Sequence, residues 1–398
     1  MYNLTDRNVV LGVSGSIAAY KVADLASKLT QAGARVDAVL TPSAVEFVTP
    51  LTFQSLTGRP AYVDMFDTAS GAAELHVELA RRADALLVAP ATATTIARLA
   101  LGLAEDLVSL TALATRAPLL VCPAMDPQMF EHEAVQGHLD TLRGRGAHIV
   151  GPEVGRLASG HMGAGRLSEV DKMMGALRYA LGLDGDLAGK KVAVSAGGTR
   201  EPIDPVRFVG NYSSGKMGYA LAEAARDRGA EVTLVATATG LPTPYAVRLV
   251  EAGSAAEMRD AVLAACAEAD ALIMAAAVAD YQPAEPIGQK IKRRDEGLSV
   301  SLVRTPDILR EVGEREGLVK VGFAAESEEL LANARVKLED KGLDLIVAND
   351  VTAEGAGFGA DTNKVTILDR DGEEDLPLMS KYDVASRVLD RVATLVRR

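Results

Sequence analysis

Short apolar segments that end at Gly, Pro, Ser or Thr alternate along the chain with longer segments of helical period. In the first half the apolar segments are NVVLGVSG, RVDAVLTP, ADALLVAPA, APLLVCPAM and AHIVGP. The helical segments between them include YKVADLASKLTQAG and TTIARLALGLAEDLVSLTALAT, each expected to form one helix. This alternation is typical of strands buried on both faces and joined by crossover helices. It predicts an α/β fold with a doubly wound, mainly parallel sheet.

The same alternation starts again in the second half of the chain. It begins at GKKVAVSAGGTREPIDP and continues through AEVTLVAT, ADALIMAAAVADY, LVKVGFAAE, LDLIVANDV and KVTILDRDG. A Gly/Asp-rich connector, LGLDGDLAGKK, separates the two series, and 398 residues are enough for two domains with full cores. We therefore expect two doubly wound domains, residues 1–189 and 190–398.

Composition excludes several classes of binding partner and site. The formal net charge of -12 argues against a nucleic-acid or anionic membrane surface, which would need a basic face, but single phosphorylated small molecules remain compatible. No stretch of about 18 uncharged apolar residues occurs, so no membrane span is expected. Cys122 and Cys266 lie in apolar segments, which indicates neither a disulfide framework nor a metal site. A cytoplasmic protein with small-molecule substrates is predicted.

The turn GVSGSIAAYK carries the first candidate chemistry. Gly12, Ser14, Gly15 and Ser16 follow a strand and precede a helix, where backbone amides and hydroxyls can bind a phosphate. The turn lacks the third glycine of the dinucleotide fingerprint, and no acidic residue closes the second strand, so a mononucleotide such as FMN is favoured. A tight turn without a ligand is the alternative. The turns in APATATT and PAMDPQMF should meet it at the carboxyl edge of the sheet.

The segment GNYSSGKMG nearly matches the phosphate-binding P-loop at Gly210, Gly215 and Lys216. Met217, however, stands where the loop needs a Mg²⁺-binding hydroxyl, and the strand KVAVSAGG ends well before Gly210. These differences argue against a P-loop nucleotidase. The serines and glycine at the helix start still offer amides and hydroxyls to a phosphate.

The first half resembles the flavodoxin-like, FMN-dependent cysteine decarboxylases, and specifically phosphopantothenoylcysteine decarboxylase. The similarity lies in GVSGSIAAYK, in His76 within ELHVELARRADALLVAPATATT, in PAMDPQMF and in LASGHMGAGRL. It implies that the flavin oxidises the substrate thiol, that the product loses CO₂, and that the resulting enethiol takes back a hydride and a proton. His76 would be the active-site histidine, although without the resemblance a surface or helix-capping role is the simpler interpretation. The implied flavin contacts are Gly12, Ser14, Gly15, Ser16, Thr41, Ala89, Pro90, Ala91, Thr92, Met125 and Met129.

Two positions depart from that family. Asp126 replaces the asparagine that binds the substrate carboxylate, and Ser159 replaces the cysteine that donates a proton. A second carboxylate would repel the substrate or have to be protonated, and a serine hydroxyl is a poor acid without help. Both positions are candidate catalytic residues. Slowed decarboxylation, full activity with another proton donor, and a non-catalytic or regulatory FMN-binding domain all remain open.

The second half resembles phosphopantothenate-cysteine ligase through GGTREPIDPVRFVGNYSSGKMG, AAAVADY, QKIKR, TPDIL, VGFAAE and LIVANDV. By resemblance, Asn211 holds the phosphopantothenate carboxylate and its acyl-cytidylate, and Lys290, in a charged stretch that is either a flap or a plain hairpin, is catalytic. Arg207 would reach the phosphopantothenate of a neighbouring subunit. The other implied substrate and CTP positions are Gly198, Ser213, Gly215, Gly218, Ala276, Ala277, Asp280, Thr305, Pro306, Asp307, Ile308, Phe323, Lys337, Lys341 and Asn349.

Together the two resemblances imply an enzyme of coenzyme A biosynthesis. It would couple 4'-phosphopantothenate to cysteine with CTP and Mg²⁺, and then decarboxylate the product with FMN to 4'-phosphopantetheine. The five histidines show no zinc spacing, and no metal ligands are assigned. In these families the flavin site forms within a trimer and the ligase site across a dimer, so a large homo-oligomer is expected.

Overall fold

The computed structural model describes residues 4–66, 74–292, 298–313, 315–326, 330–350, 355, 357 and 359–397. The chain divides into two compact units, residues 1–182 and 183–398. Within the described ranges, no helix is both long and apolar enough to cross a lipid bilayer.

The first unit alternates strands and helices, as its apolar pattern predicts. Its strands are β1 Asn8–Val13, β2 Arg35–Leu40, β3 Ala61–Tyr62, β4 Ala85–Ala91, β5 Leu119–Pro123, β6 His148–Ile149, β7 Glu153–Arg156 and β8 Met162–Arg166. Its helices are α1 Ala19–Gln31, α2 Pro50–Thr57, α3 Leu75–Arg82, α4 Ala93–Leu101, α5 Leu107–Ala114, α6 Pro127–Glu131, α7 Glu133–Gly144 and α8 Val170–Gly182.

One parallel sheet forms the centre of this unit, in the order β3-β2-β1-β4-β5-β6. Every residue of β4 is buried, because helices cover both faces of a doubly wound sheet. The strand order reverses between β1 and β4, and this switch point is where ligands bind in such sheets. The predicted doubly wound α/β fold is confirmed.

The segment TTIARLALGLAEDLVSLTALAT forms two helices, so the prediction of a single helix is wrong. Gly102 ends α4 in the left-handed region at φ 73°, a conformation that favours glycine. Asp106 then begins α5 with a reciprocal cap, in which its side chain and that of Ser109 each bind the other's backbone N–H. Local capping therefore overrides the continuous helical period.

The second unit contains the remaining elements. Its strands are β9 Lys191–Ala196, β10 Arg200–Pro202, β11 Phe208–Gly210, β12 Glu231–Ala236, β13 Arg248–Glu251, β14 Ala271–Met274, β15 Tyr281–Pro283, β16 Leu302–Arg304, β17 Val319–Glu326, β18 Leu345–Asp350, β19 Thr362–Asn363, β20 Val365–Leu368, β21 Glu373–Asp375 and β22 Met379–Ser380. Its helices are α9 Lys216–Arg226, α10 Ala255–Ala265, α11 Ile308–Gly313, α12 Leu330–Asp340 and α13 Lys381–Val396.

The main sheet of this unit has the order β13-β12-β9-β14-β17-β18-β20-β21. The first six of these strands run parallel, while β20 and β21 are antiparallel additions at one edge. Its switch point lies between β9 and β14. The prediction of a mainly parallel, doubly wound sheet is confirmed here also.

Helices α9 and α13 pack together on one face of this sheet, and both begin at its ligand-binding edge. At the end of α9, the Arg226 guanidinium forms a buried ion pair with Asp227 Oδ1 at 2.6 Å. Tyr382, in the first turn of α13, donates a hydrogen bond to Asp227 Oδ2 at 2.7 Å, and this contact joins the two helices. Their first residues, Lys216 and Lys381, therefore have fixed positions relative to each other.

Candidate active sites

Ser14 connects the two strands that flank the first switch point. Its hydroxyl is buried, donates to the Pro90 carbonyl oxygen at 2.7 Å and accepts from the Thr92 backbone N–H at 3.0 Å. Thr92 in turn caps the N-terminus of α4 through Thr95. The ends of β1 and β4 are thus joined into one polar edge.

Other predicted flavin contacts lie along the same edge. Ser16 follows β1, Thr41 follows β2, and Met125 and Met129 follow β5. Together with residues 89–92 at the end of β4, they place the predicted contacts at the carboxyl ends of four adjacent strands. A Cβ on Gly15 would stand only 2.5 Å from Ser43 Cβ, so glycine is required for this close approach. Gly12 faces inward, where a Cβ would meet Val108 at 2.8 Å. Gly12 therefore serves packing, while the hydroxyls and backbone amides around Ser16 and Thr92 fit a neutral cradle for a phosphate.

Asp126 is the centre of a polar cluster in the first unit. Its Oδ1 accepts from the Gln128 backbone N–H at 3.2 Å. Its Oδ2 accepts from Ser159 Oγ at 3.0 Å and lies 3.1 Å from His161 Nδ1. The His161 hydrogen bond, followed by those of Gln128 and Ser159, holds the pKa of Asp126 below its usual range. The carboxyl group is therefore ionised at neutral pH, not protonated.

The β7–β8 hairpin carries Ser159 and His161 to Asp126. In its turn, the Leu157 N–H donates to the His161 carbonyl at 2.9 Å, and Gly160 adopts φ 86°. The hairpin lies against the α6 segment because Gly163 has no side chain; a Cβ there would be 2.7 Å from Pro127. Sequence reasoning identified Asp126 and Ser159 separately but missed their contact and missed His161.

His76 lies in the first turn of α3 and is half-buried. The seven residues that precede Glu74 lie outside the part of the chain that the structure describes. The position at a helix start agrees with both interpretations that the sequence left open, and its catalytic role stays a prediction.

The second unit contains a cavity of about 840 Å³ at the carboxyl edge of its sheet. Many residues predicted from the ligase resemblance line it. They are Asn211, Ser213, Gly215, Ala276, Ala277, Asp280, Thr305, Pro306, Asp307, Ile308, Phe323, Lys337, Lys341 and Asn349. The cavity is built from the N-terminal ends of α9 and α11 and the loops that follow β11, β14 and β16.

Asn211 lies on the wall of this cavity and is oriented by the backbone. Its Nδ2 donates to the Val278 carbonyl at 3.1 Å, a contact between the loop after β11 and the loop after β14. A Cβ on Gly198 would be 2.5 Å from the Asn211 carbonyl oxygen, so Gly198 allows the two chain segments to approach. The amide side chain is exposed and can bind a ligand.

Asn349 presents an unusual acceptor to the same cavity. Its Oδ1 is buried and has no hydrogen-bond partner among the described residues. Buried polar atoms are nearly always hydrogen-bonded, and one that lines a cavity indicates a missing donor there. A water molecule or a donor group of a ligand can supply it.

Four lysines contribute positive charge to the cavity: Lys216, Lys337, Lys341 and Lys381. Lys341 Nζ lies 3.3 Å from Asp307 Oδ1, and Lys216 Nζ lies 2.7 Å from Asp361 Oδ1. Lys216 is the lysine of the P-loop-like motif, whereas Lys381, 165 positions later, has no signal in the sequence. Neither had been assigned to the ligase site from the sequence.

Lys381 is almost fully buried at the start of α13. Its ammonium donates to the carbonyl oxygens of Ala360 and Thr362 at 2.7 and 3.0 Å and to Asn363 Oδ1 at 2.7 Å. Burial, and secondarily the charge of Lys216, lowers the pKa of Lys381 to about 8. The three oxygen acceptors fix the segment that also carries Asp361.

Four predicted positions are not among the lining residues: Gly198, Gly218, Arg207 and Lys290. Gly218 packs against β9, where a Cβ would be 2.5 Å from Ala196 Cβ. Arg207 is exposed and pairs with Asp204 at 3.0 Å, and Lys290 is exposed in a loop. Residues 293–297, the rest of the proposed flap, lie outside the described residues. In the described ranges no group of three or more His, Cys, Asp or Glu side chains could hold a metal ion.

The two halves match two protein families. Residues 1–181 match the flavoprotein family, and residues 187–396 match the family described as the DNA/pantothenate metabolism flavoprotein C-terminal domain. The coenzyme A biosynthesis bifunctional protein CoaBC of Bacillus subtilis is 46% identical, over 99% of this chain and 98% of that protein. The protein of the same name from Vibrio vulnificus is 45% identical over the whole of both chains. A crystal structure of the C-terminal domain of a CoaBC protein is 40% identical and covers 54% of this chain and 98% of its own, with a TM-score of 0.47.

Proposed function

The chain belongs to the family of coenzyme A biosynthesis bifunctional proteins and combines decarboxylase and ligase functions; from this premise we propose which residues perform each reaction. The second unit couples 4'-phosphopantothenate to cysteine at the expense of CTP. The first unit decarboxylates the product, 4'-phosphopantothenoylcysteine, to 4'-phosphopantetheine. The observation that carries the ligase assignment is the cavity that combines Asn211 with four lysines.

In the ligase cavity, the Asn211 side chain binds the phosphopantothenate carboxylate, and Lys216, Lys337 and Lys341 neutralise the triphosphate. Amide formation from a carboxylate needs an activated leaving group, and transfer of a cytidylyl group to the carboxylate supplies it. The charge that develops on the phosphates is stabilised by ammonium groups and by Mg²⁺ that enters with CTP. The amine of cysteine then attacks the acyl-cytidylate and displaces CMP.

Asn349 and the backbone that lines the cavity make the remaining contacts with the substrates. The unpaired Oδ1 of Asn349 accepts a hydrogen bond from an N–H of a bound substrate. Backbone groups of Ala276 and Ala277 and the turn at residues 305–308 line the cavity and bind the nucleotide. Lys290, on an exposed loop, completes the catalytic set, and Arg207 reaches the site of a neighbouring subunit.

In the first unit, FMN is held at the carboxyl edge of β1, β2, β4 and β5. Ser16, Thr41, Thr92 and the adjacent backbone amides bind it, and Met125 and Met129 contact it. The bound flavin supplies two-electron oxidation and reduction. The chain's own residues orient the substrate: His76 faces its reacting end, and the Asp126 cluster lies near its carboxylate.

The protein forms a homo-oligomer, in our proposal of trimers joined by dimer contacts, and exposed apolar side chains support self-association. Ile17, Tyr20 and Leu51 are 58%, 62% and 68% exposed in the first unit. In the second unit the β10–β11 and β15–β16 hairpins expose further apolar side chains, namely Val206, Phe208, Tyr281, Leu302 and Val303. Patches of this kind on a biosynthetic enzyme indicate protein interfaces.

We keep the domain boundary between residues 189 and 190 as a proposal, seven residues after the position at which the two compact units divide. The protein acts in the cytoplasm, which agrees with two buried, unpaired cysteines, Cys122 and Cys266. Its partners are then its three substrates and further copies of itself.

One assay tests both reactions. The purified protein is incubated with phosphopantothenate, cysteine, CTP, Mg²⁺ and FMN, and the products are followed by mass spectrometry together with CO₂ release. We expect CMP, phosphopantothenoylcysteine as an intermediate, and phosphopantetheine. Accumulation of phosphopantothenoylcysteine without CO₂ would reduce the function to that of a ligase, and no coupled product at all would refute the assignment.

A further inference from the structure

The two positions at which the first unit departs from the cysteine decarboxylases meet at a single oxygen atom. Ser159 Oγ and His161 Nδ1 both lie within 3.1 Å of Asp126 Oδ2. The changes at positions 126 and 159 are therefore coupled through a third residue, His161, to which the resemblance assigns no role.

The charge state of Asp126 determines the tautomer of His161. An ionised carboxylate only accepts hydrogen bonds, so the proton between the two groups lies on Nδ1 of the imidazole. The contact then fixes the orientation of the ring, as a carboxylate does for a catalytic histidine. Nε2, on the opposite side of the ring, is left as the nitrogen that can meet a substrate, and the side chain is 65% exposed.

No other described group of this cluster is suited to replace the family's thiol as an acid. The Ser159 hydroxyl donates a hydrogen bond to Asp126, and a serine hydroxyl is a weak acid. The thiol of Cys122 is fully buried in β5, and burial raises its pKa well above the usual range. The imidazole of His161, by contrast, carries its protons on ring nitrogens that can give and accept them, and its side chain is exposed.

We propose that His161 is the proton donor for the reduction of the enethiol, with Asp126 and Ser159 as positioning residues. This inference rests on the proposed decarboxylase function of the first unit. Overall, the reaction replaces the substrate carboxylate by hydrogen, releases CO₂ and consumes one proton. The two electrons removed when the thiol is oxidised return as a hydride to one carbon of the C=C bond. The donating form of His161 is the imidazolium, which carries a proton on both ring nitrogens. The proton leaves Nε2 for the other carbon, the neutral ring keeps the Nδ1 proton that faces Asp126, and Nε2 takes up a new proton from the solvent.

The activity test separates oxidation from reduction. Full-length wild type, His161→Gln and, as matched control, His138→Gln on α7 are loaded with FMN and given phosphopantothenoylcysteine. The assay is a single turnover with enzyme in excess over substrate, because a blocked reduction leaves the flavin reduced. In His161→Gln, CO₂ release should change less than about threefold, while phosphopantetheine falls on the order of 100-fold and the enethiol accumulates. His138→Gln should match wild type. Adding Ser159→Cys to His161→Gln should restore the reduced product, because a thiol again stands at the family position.

A second readout does not depend on turnover. The carboxyl carbon of Asp126 is followed by NMR through a pH titration in wild type and in His161→Gln, both without flavin. The pKa of Asp126 should rise in the variant, because its principal hydrogen bond is lost. An unchanged titration would show that the pair does not form in solution and would overturn the proposal.

The outcomes also distinguish this inference from the proposed function. If the wild type makes phosphopantetheine and His161→Gln makes as much, only the proton-donor role is refuted. If His161→Gln loses CO₂ release and reduction equally, His161 acts before decarboxylation and the proposal is wrong. If the wild type releases no CO₂, the decarboxylase function itself is refuted, and so is the proposed role of His161.

Discussion

The two units share one strand order but differ in how they fill the edge where it reverses. In the first unit the order is β3-β2-β1-β4-β5-β6, and in the second the corresponding six strands follow β13-β12-β9-β14-β17-β18. The first edge is lined by small hydroxyl-bearing residues such as Ser14, which are already hydrogen-bonded to the chain. The second surrounds a cavity with four lysines. The same scaffold thus presents a neutral cradle in one case and a cationic cavity in the other.

The units also differ in the side chain that each would present to a substrate carboxylate. In the second unit it is an amide, Asn211, which is held by a backbone carbonyl and can donate a hydrogen bond. In the first it is a carboxylate, Asp126, which cannot donate when ionised. We expect the difference to be tolerated because Ser159 donates a hydrogen bond to Asp126 and His161, in our proposal, donates a second. A carboxylate at such a position requires neighbours that offset its charge.

The largest effect is expected from exchanging these side chains. Asn211→Asp places a carboxylate in the second unit without a neighbouring histidine, so repulsion should lower ligation on the order of 100-fold, seen as CMP release. Asp126→Asn in the first unit should lower CO₂ release by less than about tenfold, since its amide oxygen can still accept from Ser159. Unfolding temperatures close to wild type serve as the control. Equal losses in both variants would contradict the comparison.

Replacing one helical glycine by alanine in each unit should change the free energy of unfolding in opposite directions. A Cβ on Gly218, in α9, would be 2.5 Å from Ala196 Cβ and 2.7 Å from the Ser195 carbonyl oxygen. Gly218→Ala should therefore cost about 1–3 kcal/mol of unfolding free energy. Gly137, in α7, has open space around it, so Gly137→Ala should add about 0.5–1 kcal/mol. Denaturant unfolding of each variant measures this, and a neutral Gly218→Ala would show that α9 is not tightly held against β9.

Much of this scaffold could be predicted from the sequence, because strands of parallel sheets are buried on both faces and appear as apolar runs. The prediction failed where a local signal acts within a regular period, as at Gly102 and Asp106, which separate α4 from α5. The short hairpins β10–β11 and β15–β16, whose strands are three residues long, were not predicted from the sequence either.

The residues of the candidate sites also fall into two groups, those that could be predicted from the sequence and those that could not. The turn around Ser14 could be found because it directly follows a strand of the predicted sheet. Asn211 was found through the resemblance to the ligase family. His161 and Lys381 could not, because each acts through partners that no spacing rule connects: Asp126 lies 35 positions before His161. Such contacts depend on the folding of a hairpin or the docking of a helix.

Lys216 tests whether the near P-loop binds phosphate. Its ammonium contacts Asp361 Oδ1 at 2.7 Å and the Gly359 carbonyl at 2.9 Å. Lys216→Met should raise the KM for CTP about tenfold through loss of one charged hydrogen bond, with a smaller change in the KM for cysteine. Asp361→Asn should leave the KM for CTP unchanged or lower it, because it removes a competitor for the ammonium. Lys190→Met, on the far side of the unit, is the control; an unchanged KM in Lys216→Met would refute the role.

The smallest expected effect is a difference between the two units in how their stability depends on pH. Burial lowers the pKa of Lys381 to about 8 from 10.5, so between these values the unfolded chain binds more protons than the folded chain. The contribution of Lys381 to stability therefore rises with pH through this window, on the order of 1 kcal/mol, and Lys381→Met should lose that rise. In the first unit the pKa of Asp126 is lowered instead, so its contribution is present above its unfolded pKa near 3.8 and is lost in acid. Denaturant unfolding of wild type and Lys381→Met from pH 7.5 to 9.5 measures the difference; parallel curves would mean that the three oxygen acceptors fully offset the burial of the ammonium.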